Sequence, residues 1–219
     1  MRRGVLLALG MGSVAITQAF ALFVVPPVKW PGPNGKVLGI VQKIFYVHVP
    51  LAWTGFLLAF VSAVAALLYL LRRSTKWDRL SASSMEVATV FLTVAIITGS
   101  LWARPAWGTF WTWDPRLVSM AVLLILAIGY LFLRNLVDEP DLRARVSSLL
   151  SLIIVVNIPV VFLSIKLFRT LHPAVVKGLS KGDTYGMDTP ILVGFLLNLF
   201  SMTLFGITML YLRYTKEER

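Results

Sequence analysis

Six apolar runs, each long enough to cross a hydrocarbon layer, decide what this chain can become. A spanning helix needs about 20 largely apolar residues, with a usable range of roughly 17 to 25. Such runs lie near residues 5–25, 51–71, 87–103, 117–133, 146–165 and 190–212. They are apolar all round rather than striped and are bounded by Pro, Gly and charge clusters, which suits lipid-embedded helices better than soluble core helices. Of 219 residues, 58% are hydrophobic and only 14% charged. The expected fold is an all-α integral membrane protein of six transmembrane helices, forming a single domain over residues 1–219 with no soluble domain beside it.

A net charge of +11 suggests nucleic acid at first, but its distribution argues for topology instead. Segments 1–4, 72–84, 134–146 and 213–219 hold 12 Lys/Arg in 37 residues, against 9 in 61 for segments 26–50, 104–116 and 166–188. Basic loops stay on the cytoplasmic side, so both termini are expected inside and the three alternate segments outside. Arg72, Arg73, Lys76 and Arg79 around Trp77 form the densest cluster, which reads as retention charge facing anionic lipid. Arg2, Arg3 and the small residues of Ala19-Phe20-Ala21 resemble a cleavable signal peptide. The apolar run continues through Val25, however, and an uncut first helix keeps the charge pattern consistent.

The chain has no cysteine, which excludes disulfides, thiolate ligands and thioether attachment of a cofactor to this chain. Its unusual residues gather in the outer segments instead. Four of seven tryptophans (Trp102, Trp107, Trp111 and Trp113) fall within twelve residues, beside Asp114 and with Arg104 and Arg116 close by. Tryptophan does settle at membrane boundaries as a belt. A belt scatters its rings, whereas this density suggests a flat object to be bound.

His48 and His172 are the only histidines. One is expected just before the second helix and the other just after the fifth, which puts both at the outer boundary with the tryptophans. Both precede proline closely, in His48-Val49-Pro50 and His172-Pro173, and proline restricts the backbone around them. A lone interfacial histidine is usually a hydrogen-bonded boundary residue. A pair on one level, with no histidine spent elsewhere, points to ligation.

Two chemistries fit such a pair. A zinc or non-haem iron site takes two histidines and a carboxylate, with Asp114 as the third ligand, but has no use for tryptophans. Haem takes axial imidazoles, an apolar surface and cations for its propionates. The tryptophans supply the surface, and Lys43, Arg104, Arg116, Lys166 and Arg169 are cations on the same side. Haem therefore accounts for more residues, whether the protein hands it on or keeps it as a b-type anchor for electron transfer.

The motif has two local readings. As a short interfacial helix, residues 107–114 put Trp107, Trp111 and Asp114 on one face, with Trp113 pointing elsewhere. Because Pro115 disfavours helix at the preceding residue, a turn with Asp114 capping the fourth helix is the other. Within the spans, Asn157 is expected to face protein and Glu86 to begin the third helix as an N-terminal acid. No phosphate-binding loop and no nucleophile–base pair is visible, so no enzyme activity is expected and any ATP hydrolysis belongs to a partner.

The stretch Trp107-Gly108-x-x-Trp111-x-Trp113-Asp114-x-Arg116-Leu117 resembles the WWD signature of haem-handling proteins of cytochrome c biogenesis. Size, span number, Tyr46-Val47-His48-Val49-Pro50 and Thr170-Leu171-His172-Pro173 make the chain similar, over its full length, to the CcmC family. The longer CcmF and CcsA/CcsB relatives carry more spans than 219 residues hold. The resemblance implies that His48 and His172 are axial ligands of a non-covalent, b-type haem. It also implies that Trp107, Trp111, Trp113 and Asp114 meet the haem edge and the receiving chaperone CcmE. The implied partners are the CcmA/CcmB transporter, the small protein CcmD and membrane lipid, with no nucleic acid. The implied location is the bacterial cytoplasmic (inner) membrane, with the site facing the periplasm.

Overall fold

A computed structural model describes residues 2–28, 39–168, 170–172 and 188–216. The described residues form six α-helices: α1 (Arg2–Phe23), α2 (Phe45–Arg72), α3 (Thr75–Trp107), α4 (Pro115–Leu136), α5 (Pro140–Leu167) and α6 (Thr189–Lys216). Each is long and apolar enough to span a membrane, and no strand occurs among the described residues.

Side-chain contacts fix how the helices run. Ser62 of α2 meets Ser81 of α3, and His48 of α2 lies against Gly99 of α3, so these two helices are antiparallel. In the opposite corner, Thr17 of α1 bonds Ser201 of α6 at 2.7 Å, while Arg3 donates to the Thr215 carbonyl at 2.7 Å. Residues 3 and 215 therefore meet at one end of the bundle, the end that also carries the α2–α3 and α4–α5 connections. The opposite end gathers the start of α2, the end of α3, the start of α4 and the end of α5. The site described below is built there.

Small side chains let α2 and α3 approach closely. Ala59, Ser62, Ala63 and Ala66 of α2 and Ser81, Ser84, Ala88 and Ala95 of α3 are all buried, a composition suited to helix packing where lipid supplies little drive for association. Ser62 Oγ donates to the Ser81 carbonyl at 2.9 Å and lies 3.0 Å from the Ser81 and Ser151 hydroxyls. This links α2, α3 and α5. Near the same end, Arg134 of α4 grips Asp78 of α3 through two hydrogen bonds of 2.6 and 3.0 Å.

Several helix ends differ from the sequence expectation. The third helix begins at Thr75 rather than near residue 87, because its polar first turns bury Ser81, Ser83 and Ser84 against neighbouring helices. Glu86 is consequently not an N-terminal acid. It lies well inside α3 and takes a bidentate ion pair from Arg213 of α6. The fourth and fifth helices run from Pro115 to Leu136 and from Pro140 to Leu167, so most of segment 134–146 is helical rather than loop. Asn157 does face protein, donating to the Ser119 carbonyl of α4 at 2.9 Å.

Candidate functional site

The second helix also starts earlier than expected. A 3₁₀ segment, Gly39–Ile44, leads into α2 at Phe45, so His48 stands in the first turn of the helix instead of before it. Pro50 is inside the helix and has no N–H to offer the carbonyl four residues back, that of Tyr46. Gln18 of α1 fills the gap, its Nε2 donating to the Tyr46 oxygen at 3.0 Å. Tyr46 in turn donates its hydroxyl to the Pro26 carbonyl at 2.9 Å. The turn that carries His48 is thus braced from α1.

The His48 ring is fixed from α3. Its Nδ1 lies 3.0 Å from the Ala95 carbonyl and 3.2 Å from Thr98 Oγ1. A carbonyl only accepts, so Nδ1 carries the proton and Nε2 keeps a free lone pair, the arrangement that prepares an imidazole to ligate. Gly99 makes room for the ring: a Cβ there would stand 2.9 Å from His48 Cε1. Trp102 packs edge-on against the imidazole, with ring centroids 5.8 Å apart, and its Nε1 donates to Gln42 Oε1 at 2.9 Å.

His172 approaches from the other side, past the end of α5. Its ring centroid is 6.3 Å from that of His48 and 6.2 Å from that of Trp107. Burial, then the nearby Arg116 guanidinium and His48, hold its imidazole well below the ordinary histidine value, so it is neutral at physiological pH. His172 Nδ1 is buried with no hydrogen-bond partner among the described residues.

Both rings border a cavity of about 330 Å³, at the small end of the range for ligand sites. His48, Ala52 and Phe56 line it from α2, and Ala95, Gly99, Ala103 and Trp107 from α3. These positions recur at helical spacing, so each set is one face of its helix. Trp111, Arg116, Met120 and Val161 close it from α4, α5 and the loop before α4. Arg116 stacks over Phe162 at 5.7 Å and leaves Nη1 buried without a partner among the described residues. A half-buried cation with a buried spare donor, beside two imidazoles, suits a flat anionic ligand that also presents a metal.

The tryptophan-rich stretch takes the turn form. Helix α3 continues to Trp107, ends on Gly108 in the left-handed region (φ 83°), and gives way to an irregular link before α4. Asp114 caps α4 by accepting from the Arg116 N–H at 2.9 Å, with Pro115 in the first turn.

The family CcmC, described as heme exporter protein C, matches residues 5–218. The chain belongs to this family. Heme exporter protein C of Bradyrhizobium diazoefficiens is 33% identical over 178 residues, covering 81% of this chain and 66% of the relative. The Escherichia coli K12 protein of the same name is 34% identical over 208 residues, covering 91% and 84%. A putative cytochrome c biosynthesis ccmC-like mitochondrial protein of Marchantia polymorpha is 32% identical over 143 residues, covering 65% and 60%. The chain thus spans just under two thirds of the length of the Bradyrhizobium relative and less of the Marchantia one.

In this CcmC-family chain the signature residues divide. Trp107 and Trp111 line the cavity with His48, His172 and Arg116. Trp113 is 84% exposed and Phe110 53%, both facing away, although Trp113 meets Trp111 edge to face at 6.2 Å. Asp114 is 7% exposed and lies outside the cavity wall. Lys43 donates to the Leu22 carbonyl at the end of α1, and Arg104 bonds the Gly108 carbonyl and stacks on Phe110 at 5.5 Å. Neither borders the cavity. Arg169 lies outside the described residues. Gln42, Gly99 and Ala95 were not singled out from the sequence, because their part in the site depends on the register of α2 against α3.

Proposed function

We propose that this chain binds haem between His48 and His172 at the outer, periplasmic end of the bundle. It then presents that haem to the chaperone CcmE during c-type cytochrome biogenesis. The observation that carries the reading is the pair of imidazoles facing one cavity 6.3 Å apart. If haem entered this cavity, both imidazoles would be within reach of its iron. His48 offers Nε2 as its ligating atom, since Nδ1 is engaged. Arg116 supplies a propionate partner, and Trp107 and Trp111 supply apolar faces for the macrocycle.

Haem held this way is non-covalent and of b-type, because the chain has no cysteine. The exposed Trp113 and Phe110 form a ridge beside the cavity on which a receiving protein can seat aromatic contacts. CcmA, CcmB and CcmD are the partners that the family suggests, in the cytoplasmic membrane of a bacterium. The protein itself binds and delivers rather than catalyses. The two-histidine, one-carboxylate metal site has less support: Asp114 points away from the cavity, and no group of three metal-ligating side chains occurs among the described residues. Absorption spectra of the detergent-purified protein test the proposal. A Soret band lost or reshaped in both His48→Ala and His172→Ala is expected, while metal bound without porphyrin would overturn it.

A further inference from the structure

We propose that Asp114 is the positioning residue for His172, a latch that holds the second ligand in place without touching the bound haem. The proposal rests on reading His172 as a ligand and goes beyond it. The Asp114 carboxylate is buried and accepts from three donors, of which the Thr170 hydroxyl is shared between its two oxygens. Arg116 N–H reaches Oδ1 at 2.9 Å. Thr170 Oγ1 lies 2.8 Å from Oδ1 and 2.7 Å from Oδ2, and Leu171 N–H donates to Oδ2 at 2.7 Å.

The chain of bonds does not stop at Thr170. With its proton committed to Asp114, the Thr170 hydroxyl accepts from the His172 N–H at 3.1 Å. Among the described residues, these are the only hydrogen bonds that segment 170–172 makes. Asp114 therefore fixes Leu171 directly and His172 through Thr170. His48 is held quite differently, on a helix and by a bond to its own ring from α3. The two ligands are unequal: His48 is built into the bundle, whereas His172 depends on a carboxylate of the tryptophan motif.

Asp114→Asn separates the latch from the helix cap. Asparagine keeps one oxygen for the Arg116 N–H and is an equally good cap, but it turns an NH2 group toward the Leu171 N–H and Thr170. The assay is haem titration of the purified full chain, with spectra of the ferric and ferrous forms. In Asp114→Asn the six-coordinate, two-imidazole spectrum is expected to give way to a five-coordinate one. Affinity should fall about 10- to 100-fold, as when an outer partner of a metal-bound histidine is lost, and added imidazole should restore six-coordination. Thr170→Val should do the same in part, and Thr170→Ser should not.

The decisive comparison is a double-mutant cycle. Asp114→Asn should cost nothing further in a His172→Gly background and should keep its full effect beside His48→Gly. An equal loss in both backgrounds, or a wild-type spectrum in Asp114→Asn, overturns the latch. A wild-type protein with no Soret band would instead sink the haem reading itself, before Asp114 is altered.

Discussion

Adding one methyl group at Gly99 should weaken haem binding while leaving the helix bundle nearly as stable as before. The Cβ of Gly99→Ala would sit 2.9 Å from His48 Cε1, 3.4 Å from Nδ1 and 3.7 Å from Nε2. Carbon atoms pack best about 3.5 to 4.0 Å apart, so the imidazole must retreat by roughly 0.6 to 1.1 Å. That shift strains the 3.0 Å bond from Nδ1 to the Ala95 carbonyl, which aims Nε2 at the cavity. Overpacking of this kind costs about 1 to 3 kcal/mol. Alanine recovers about 0.8 to 1.0 kcal/mol of it through helix propensity. The net change in folding stability should therefore be small, near zero to about 2 kcal/mol. The ligand geometry has no such compensation, and binding should fall roughly tenfold to a hundredfold. Haem titration followed at the Soret band, run beside thermal unfolding in detergent, reads both quantities. Gly129→Ala is the control, since its Cβ would meet nothing within 4 Å; it should leave haem binding unchanged. Unaltered affinity and spectrum in Gly99→Ala would refute the argument that Gly99 sets the position of the His48 ring.

The brace behind His48 can be tested by compensation. Gln18→Leu should destabilise by about 1 to 3 kcal/mol by leaving the Tyr46 carbonyl buried and unpaired. Pro50→Ala in the same chain should recover much of that loss, because the new N–H can bond the same carbonyl; thermal melts of the four proteins of the cycle measure it. His172 carries a pH prediction for the haem-free protein. Its folded pKa is depressed by burial and by Arg116 below the ordinary histidine value, so its neutral form is favoured in the folded state. Its contribution is fully present above about pH 6.5 and is lost as pH falls below that, by at most about 1.4 kcal/mol per unit. Melting temperatures between pH 7.5 and 5.5 should therefore drop more in wild type than in His172→Gln, and equal slopes would contradict the assignment.

The spans were legible because a hydrocarbon layer imposes a length and a composition that each run satisfies on its own. The histidine pair was legible because there are only two, one at the start of the second span and one past the end of the fifth, which fall on the same side of the membrane. Other features depend on partners distant in sequence. The first turns of α3, Thr75 to Glu86, are too polar to read as part of a spanning helix; they are helical because Ser81 and Ser84 fit against α2. Gly99 has no local sign of importance until α2 brings His48 against it. Asp114 shows its cap in the sequence, through Pro115, but not its second set of donors, which come from residues 56 and 57 positions further along the chain. Helical spacing put Trp107 and Trp111 on one face and Trp113 elsewhere; the structure reaches the same division by a turn after Gly108, with Trp107 and Trp111 on the cavity and Trp113 exposed.

Where the iron sits is read most directly from a cryo-EM map of the haem-loaded protein in detergent or nanodiscs. Iron is expected between the His48 and His172 rings, about 2 Å from His48 Nε2 and from one His172 nitrogen. Arg116 should lie against a propionate, and Asp114 should still be bonded to Thr170 and Leu171. Iron bound by Asp114, or haem lying outside the cavity with either imidazole unligated, would contradict haem binding by this histidine pair.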